Sequence, residues 1–281
     1  MKINRIPLES SPAKLNGAEF MDRKPYQTDV SDAEWTILQA LMPLQNSSGR
    51  PRQYEWREIL NAIFFVTRSG CQWRLVPHDL PPWWAAYFYF RLWRLLGIWE
   101  KMNSELRKTV RVLCEGRDPE PSAGVIDSQS VKNTETGGKS GFDAGKKING
   151  VKRHIVVDTC GLVMKAVVHT ADIQDRDGAM ITFNRMKNMC PRLKLVWADG
   201  GYAGQLVEWT KRKLNIKLEI VKRSDDIKGF KILPRRWVVE RTFGWLGRNR
   251  RLSKNYERCT DSGESFIYVG MIRLMARRLT T

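Results

Sequence analysis

The sequence has few of the residues that build zinc fingers, disulfide frameworks or membrane spans. Its 281 residues include five cysteines, none in a Cys-x-x-Cys pair, and only three histidines. This composition disfavours a zinc finger or a disulfide framework and is typical of a reducing cytoplasm. No run approaches the ~18 apolar residues of a membrane helix, because Arg91 and Arg94 interrupt the richest stretch, 83–96. The N-terminus has no apolar signal region, so we expect a cytoplasmic protein.

Acidic residues are scarce relative to basic ones. The chain has 30 Asp and Glu against 48 Lys and Arg, a formal net charge of +18. Such an excess predicts a polyanionic partner, and nucleic acid is the first candidate. A ribosome-associated or merely basic protein is the alternative. If DNA is the partner, we expect nucleoid association in the bound state.

Changes in composition predict how the chain is divided. Residues 1–27 are polar and irregular and predict a mobile arm. Residues 28–118 predict an all-helical domain, beginning at a capping box formed by Ser31 and Glu34. Residues 119–123 are predicted to be a linker within a proline-containing stretch. Residues 124–281 are predicted to form a second domain.

The second domain alternates strands and helices. Strands are predicted at 124–132, 152–159, 162–170, 193–200 and 217–223, and helices at 175–189, 204–214, from near Pro234, and at 261–281, the last amphipathic. Three strands followed by helix, strand, helix, strand and helix is the order of an RNase H-like α/β fold with a mixed sheet. Asp172, Asp175 and Asp177 are predicted to be turn and cap residues.

Three carboxylates lie on two of the predicted strands and on a predicted helix. Asp127 lies within the first strand, Asp199 ends the fourth strand before two glycines, and Glu240 lies on the following helix, flanking its apolar stripe. Alone, Asp199 reads as a turn or cap residue and Glu240 as part of a solvated Glu–Arg pair. Together, on adjacent strands and a covering helix, they would repel one another unless hard divalent cations bind them. Two Mg²⁺ ions about 4 Å apart suit in-line phosphoryl transfer.

Several blocks resemble DDE transposases of bacterial insertion sequences, of the IS-five type. These blocks are "GVIDSQSVK", "GGKSGFDAGKKINGVKRHIVVDT", "VWADGGYAG" and "RRWVVERTFGWLGRNRRLSKNYE", nearly contiguous from 124 to 258. The resemblance covers about residues 28–279. It implies an RNase H-like catalytic domain preceded by a helical DNA-end-binding domain. It also assigns metal binding and catalysis to Asp127, Asp199 and Glu240.

The family often carries a Tyr-Arg-Glu-Lys signature around its glutamate. Arg236 matches the arginine and Glu240 the glutamate, but Leu233 stands at the tyrosine position and Gly247 at the lysine position. Arg248 or Lys254 could replace the lysine.

Basic residues flank the predicted site. Residues 235–258 contain eight basic residues and two acids, which favours phosphate contacts over a salt-bridged surface helix. The glycine-rich loop 137–150 is predicted to approach DNA, although a plain hairpin connection is nearly as good an interpretation. The residues predicted to contact DNA are Arg236, Arg241, Arg248, Arg250, Arg251, Lys254, Lys139, Lys146, Lys147 and, for a minor groove, Arg50 and Arg52.

The other motifs give less information about function. Gly138-Lys139-Ser140 lacks the earlier glycine of a phosphate-binding loop, because Asn133 stands there, so no nucleotide cofactor is expected. The aromatic residues of 83–99 predict core rather than base stacking. Residues 54–96 are a candidate helix-turn-helix reader of terminal repeats. The three histidines, His78, His154 and His169, are predicted to be structural.

The sequence therefore predicts a metal-dependent DNA transposase. It would cleave insertion-sequence ends and transfer the 3′-OH ends to target DNA, using two Mg²⁺ ions for which Mn²⁺ can substitute. Its expected partners are double-stranded DNA, as terminal inverted repeats and target, and further copies of the chain, since two ends must be held together. The rivals are a nuclease of the same fold without strand transfer and an inactive or domesticated DNA-binding regulator.

Overall fold

Helices form the first part of the molecule. The computed structural model describes residues 23–43, 52–221 and 237–281. The first four helices are α1 (Asp32–Gln39), α2 (Trp56–Ser69), α3 (Trp83–Leu95) and α4 (Ile98–Leu113). The predicted capping box is confirmed, because the Ser31 side chain accepts from Glu34 N and the Glu34 side chain accepts from Ser31 N.

A mixed sheet forms the centre of the second part. Its strands are β1 (Ala123–Lys132), β2 (Gly141–Asp143), β3 (Ile148–Asp158), β4 (Val163–Thr170), β5 (Leu195–Ala198) and β6 (Lys217–Ile220). The order is β2-β3-β1-β5-β6, and β4 also pairs with β3. Pairing is antiparallel among β1 to β4 and parallel from β1 through β5 to β6. This sheet and the N-terminal helices confirm the predicted α/β fold class.

The remaining helices cover the two faces of the sheet. They are α5 (Asp175–Met186), α6 (Gln205–Leu214), α7 (Trp237–Gly247) and α8 (Thr260–Arg278). Consecutive residues of a strand point to opposite faces, so Val125 and Ile126 belong to separate cores. Ile126 packs with Phe183 of α5 and Leu206 of α6. Val125 belongs to the larger core that includes Val239 of α7.

Helix α8 lies between the helical part and the sheet. It contacts α1 to α4 on one side and β4 on the other. Most residues from Gly263 to Ala276 are buried. The prediction of an amphipathic helix here is therefore wrong, because two partners enclose α8 and leave it no long solvent face.

The described residues also change some predicted boundaries. Arg23 pairs with Asp29 at 2.7 Å and with Glu58 at 2.9 Å, so 23–27 is anchored, whereas 1–22 of the predicted mobile arm lie outside the described residues. Ala123, assigned to the linker, begins β1. The larger core runs without interruption from the helices into the sheet. The division into two domains stays a prediction.

The glycine-rich segment contains a strand that the sequence did not predict. β2 pairs with the start of β3 inside the predicted loop 137–150. Gly150 permits this arrangement, because a Cβ atom there would lie 2.0 Å from the carbonyl oxygen of Val131. Among the described helices, none is long and apolar enough to cross a membrane.

Candidate active site

Strand pairing aligns Asp127 with Asp199. β1 and β5 run parallel with Val125 opposite Trp197, and each aspartate stands two residues further along its strand direction. The backbone is still extended at Asp199, with φ −82° and ψ 179°. Opposed residues of neighbouring parallel strands face the same side of a sheet. The two half-buried carboxylates therefore share one face at the end of the β1–β5 pairing.

Backbone amides hold both carboxylates. Asp127 Oδ1 accepts from Ser128 N at 2.7 Å, and Asp199 Oδ1 accepts from Gly201 N at 2.8 Å. Asp199 caps the 3₁₀ turn Gly200–Tyr202 that follows β5. The geometry of Asp199 is thus compatible both with a role in the turn and with a role in the candidate site.

Helix α7 brings Glu240 to the same side of the sheet. The helix packs on β1 and β3 through a buried side that includes Val238, Val239 and Thr242. The Thr242 hydroxyl lies 2.7 Å from the carbonyl oxygen of Gly161, in the turn after β3. Glu240 itself is exposed in the first turn. Glu240 therefore lies beside the buried side of α7 and is more exposed than expected.

A buried polar network lies behind Asp127, on the opposite face of β1. The Ser128 hydroxyl donates to Asp175 Oδ1 at 2.8 Å, and Lys152 Nζ lies 3.0 Å from the same oxygen. Burial acts to raise the pKa of Asp175, but the hydrogen bonds from Ser128 and Lys152 outweigh it and lower that pKa. Asp175 is therefore an ionised member of the network.

The cap role predicted for Asp175 and Asp177 is wrong. The N-cap of α5 is Gln174, without a side-chain cap bond, and Asp175 is turned toward the sheet instead. Gly178 lets α5 come this close, because a Cβ atom there would lie 2.4 Å from His154 Cε1. The sequence signal for this packing was the glycine that follows the aspartates.

The pKa of the Tyr202 hydroxyl is affected by the negative charges around it. Its side chain is buried, and burial raises its pKa well above the ordinary value; the charges of Asp127, Asp175 and Asp199 act in the same direction. Three carboxylates thus influence one hydroxyl. Negative charge around this hydroxyl favours the binding of a cation.

The two histidines of the sheet form a buried pair. His154 Nδ1 lies 2.8 Å from His169 Nε2, and burial lowers the pKa of both rings. Both rings are neutral at physiological pH. Their packing against α5 is compatible with the predicted structural role.

Comparisons with known proteins match both parts of the chain. A family model described as "Transposase DDE domain" matches residues 118–272, more than half of the chain. The chain belongs to this DDE transposase family. A second family model, "Putative transposase of IS4/5 family", matches residues 30–103. The predicted family is therefore confirmed.

Two curated proteins of Burkholderia cepacia are similar to this DDE transposase. The "putative transposase for insertion sequence element IS402" is 29% identical over 153 residues, which are 52% of this chain and 71% of the relative. The "insertion element IS402 uncharacterized 16.2 kDa protein" is 25% identical over 119 residues, 40% of this chain and 78% of the relative. No solved structure matches.

The basic residues of the DDE transposase fall into two groups. Arg248, Arg250 and Lys254 are exposed after α7, and Lys139, Lys146 and Lys147 are exposed around β2. Lys146 Nζ donates to the carbonyl oxygen of Ser128 at 3.2 Å, so the loop reaches the residue next to Asp127. Arg236 and Arg50 lie outside the described residues.

Two arginines predicted to contact DNA make contacts within the protein. Arg251 is 8% exposed and pairs with Glu257 at 2.7 Å. Arg241 lies over the rings of Trp237 and Trp245 and donates to the carbonyl oxygen of Cys160 at 2.9 Å. These contacts direct both side chains toward the protein itself and give no support to DNA contacts there, so their DNA role stays a prediction.

Arg52 is also engaged by its own part of the chain. It lies 4.3 Å from the ring centre of Trp56 and 3.7 Å from Glu55. Its side chain is therefore held along the start of α2, which gives no support to a minor-groove arm. That role stays a prediction.

The donor types of the site fit a divalent metal. Carboxylate oxygens are the ligands that Mg²⁺ prefers, usually with one or two carboxylates and several waters. Asp127 and Asp199 share a face and belong to neighbouring strands. Within the described ranges, no group of three or more His, Cys, Asp or Glu side chains is spaced to hold a metal ion. The two aspartates are therefore candidate carboxylate donors that the strand pairing places on one face of the sheet.

Proposed function

We propose that this DDE transposase cleaves the ends of an insertion sequence and transfers the freed 3′-OH ends to target DNA. Asp127, Asp199 and Glu240 are the proposed catalytic residues. The supporting observation is the β1–β5 register, which aligns the two aspartates on the face that α7 covers. The family match supports transposition itself.

The three carboxylates are the groups that would hold two Mg²⁺ ions, or Mn²⁺ in their place. Bound there, the cations would supply an activated water or 3′-OH and stabilise the charge of an in-line phosphoryl transfer. Ser128 N and Gly201 N fix the rotation of the two aspartates. Glu240, exposed on α7, would complete the donor set when metal and DNA bind. No covalent enzyme intermediate is required.

Exposed lysines and arginines near these carboxylates would bind the DNA backbone. Lys146 lies beside the residue that follows Asp127, and Arg248 and Lys254 follow α7. Either of the last two could take the role of the signature lysine that Gly247 replaces. Their positive charge would balance the phosphates that approach a negatively charged site. Two ends must be joined in one event, so the active assembly is a dimer or larger.

The test is a cleavage and joining assay with labelled DNA that carries a candidate inverted-repeat end, plus plasmid target. We expect joined product with Mg²⁺ and none with EDTA. Asp127→Asn, Asp199→Asn and Glu240→Gln should each reduce product by more than the ~100-fold typical of changes behind a metal ligand. Glu208→Gln, an exposed change on α6, is the matched control.

The rivals give different products in the same assay. A nuclease would cut but would not join a pre-cut end to the plasmid. A regulator would bind the labelled end without cutting or joining it. Full activity in any of the three carboxylate variants would remove that residue from the proposed catalytic set.

A further inference from the structure

A cleft of about 230 Å³ lies where the N-terminal helices meet the end of α7 and the last turns of α8. Four arginines line it. Arg68 comes from the end of α2, Arg248 follows α7 directly, and Arg273 and Arg277 lie on α8. The Arg68 guanidinium also donates to the carbonyl oxygen of Arg248. The cleft is thus built jointly by the helical part and by the helix that carries Glu240.

Positive charge in the cleft exceeds the carboxylate charge available to it. Glu34 lies 2.6 Å from Arg273 and 3.7 Å from Arg277. Throughout the described part of the chain, neither Arg68 nor Arg248 has a carboxylate partner. Four arginines less one glutamate leave a net charge of +3. Such a local excess of one sign attracts a polyanion.

The chemistry of the lining favours phosphate over nucleic-acid bases. Guanidinium groups donate paired N–H bonds that match phosphate oxygens. The aromatic rings near the cleft are already covered by cations: Arg278 and Arg241 lie 4.4 and 4.5 Å from the ring centre of Trp245, and Arg273 lies 5.3 Å from that of Phe64. These covered faces do not offer a stacking surface for a base. We propose that the cleft binds a phosphodiester group of the DNA backbone.

This proposal rests on the proposed function and adds a second phosphate-binding position to it. Glu240 and Arg248 are eight residues apart, or about 12 Å along a helix axis at ~1.5 Å per residue. Successive phosphates of one duplex strand advance by ~3.4 Å. The bound phosphate is therefore a different one from the phosphate that is cleaved. A phosphate held there would tie the N-terminal helices to the catalytic helix.

The salt dependence of binding to a labelled DNA duplex tests the cleft. Each lost phosphate contact lowers the slope of log K against log salt concentration by about 0.9. We expect this loss in Arg68→Ala and in Arg248→Ala. Arg68→Lys keeps the charge and should keep a slope near that of the wild type. Arg212→Ala, an exposed change on α6 outside the cleft, is the control.

The outcomes separate this proposal from the proposed function. A wild-type protein that binds and cleaves DNA, with unchanged slopes in both cleft variants, would overturn the cleft and leave the transposase intact. Equal losses in Arg212→Ala and the cleft variants would also overturn it. A wild-type protein that neither binds nor cleaves DNA would overturn both. Thermal melting followed by circular dichroism identifies folded variants, and Arg248→Gln replaces Arg248→Ala if the latter does not fold.

Discussion

Ser128 links Asp127 to the polar network on the opposite face of the sheet. Its backbone amide donates to Asp127, its hydroxyl donates to Asp175, and its carbonyl oxygen accepts from Lys146. Side chains behind a metal-binding carboxylate orient it and tune its affinity for the metal. In this molecule the orienting group is an ionised carboxylate on α5, on the opposite face of the sheet from Asp127. Asp175 is thus a positioning residue for the proposed site.

Asp175→Asn should lower kcat by about 10- to 100-fold and weaken Mg²⁺ binding, with little change in KM for DNA. Asparagine keeps the size of the side chain but loses the charge that holds the Ser128 hydroxyl and Lys152. Isothermal titration with Mg²⁺ measures the affinity without turnover. Asp177→Asn, exposed two residues later on α5, is the control. Equal behaviour of the two variants would show that Asp175 does not position Asp127.

Secondary structure elements followed local signals where those signals were strong. The strand predicted at 124–132 and the capping box predicted at Ser31 and Glu34 each match the element that forms. β2 was missed because its three residues lie among glycines and depend on pairing with β3. The aromatic residues of α3 were predicted as core, which holds for Phe90 and Trp93 but not for Trp84 and Phe88, since one side of α3 is exposed.

Helix α8 carries a carboxylate whose ionisation should control stability. Burial raises the pKa of Glu264 to about 7, against an ordinary value of 4.5. Glu264 Oε1 accepts from Val168 N of β4 and from Arg185 of α5, and the charges of Asp261 and Lys165 also act on it. The folded state therefore keeps a proton that the unfolded chain has lost. This stabilisation is complete below pH 4.5 and disappears as the pH rises through about 7.

Glu264→Gln should remove this pH dependence. The amide stays neutral at every pH. Between pH 4.5 and pH 8, the free energy of unfolding of the wild type should therefore fall by roughly 2–3 kcal/mol relative to that of the variant. Urea unfolding at a series of pH values measures the difference. Glu208→Gln, exposed on α6, should follow the wild type throughout. A constant difference between Glu264→Gln and wild type across the series would contradict the prediction.

The molecule as a whole depends on contacts that no local pattern encodes. The three proposed catalytic residues lie far apart in sequence, and only the β1–β5 register and the packing of α7 bring them to one side of the sheet. Sequence reasoning reached these residues through the strand order and the family resemblance. Asp175, by contrast, gave only a local cap signal, because its partner Ser128 lies 47 residues away. The arginine cleft likewise combines α2 with α7 and α8.

The central position of α8 leads to a prediction about cooperativity. One core joins Trp93 and Trp99 of the helical part to Val157 of the sheet, and Ile272 of α8 is fully buried within it. Ile272→Ala should lower the free energy of unfolding by about 2–4 kcal/mol. Because α8 contacts both parts, amide hydrogen exchange should accelerate equally in α2 and in β3. Val112→Ala, which is 45% exposed on α4, should change neither. Acceleration confined to α2 or to β3 would instead show two parts that unfold independently, as the predicted domain division implies.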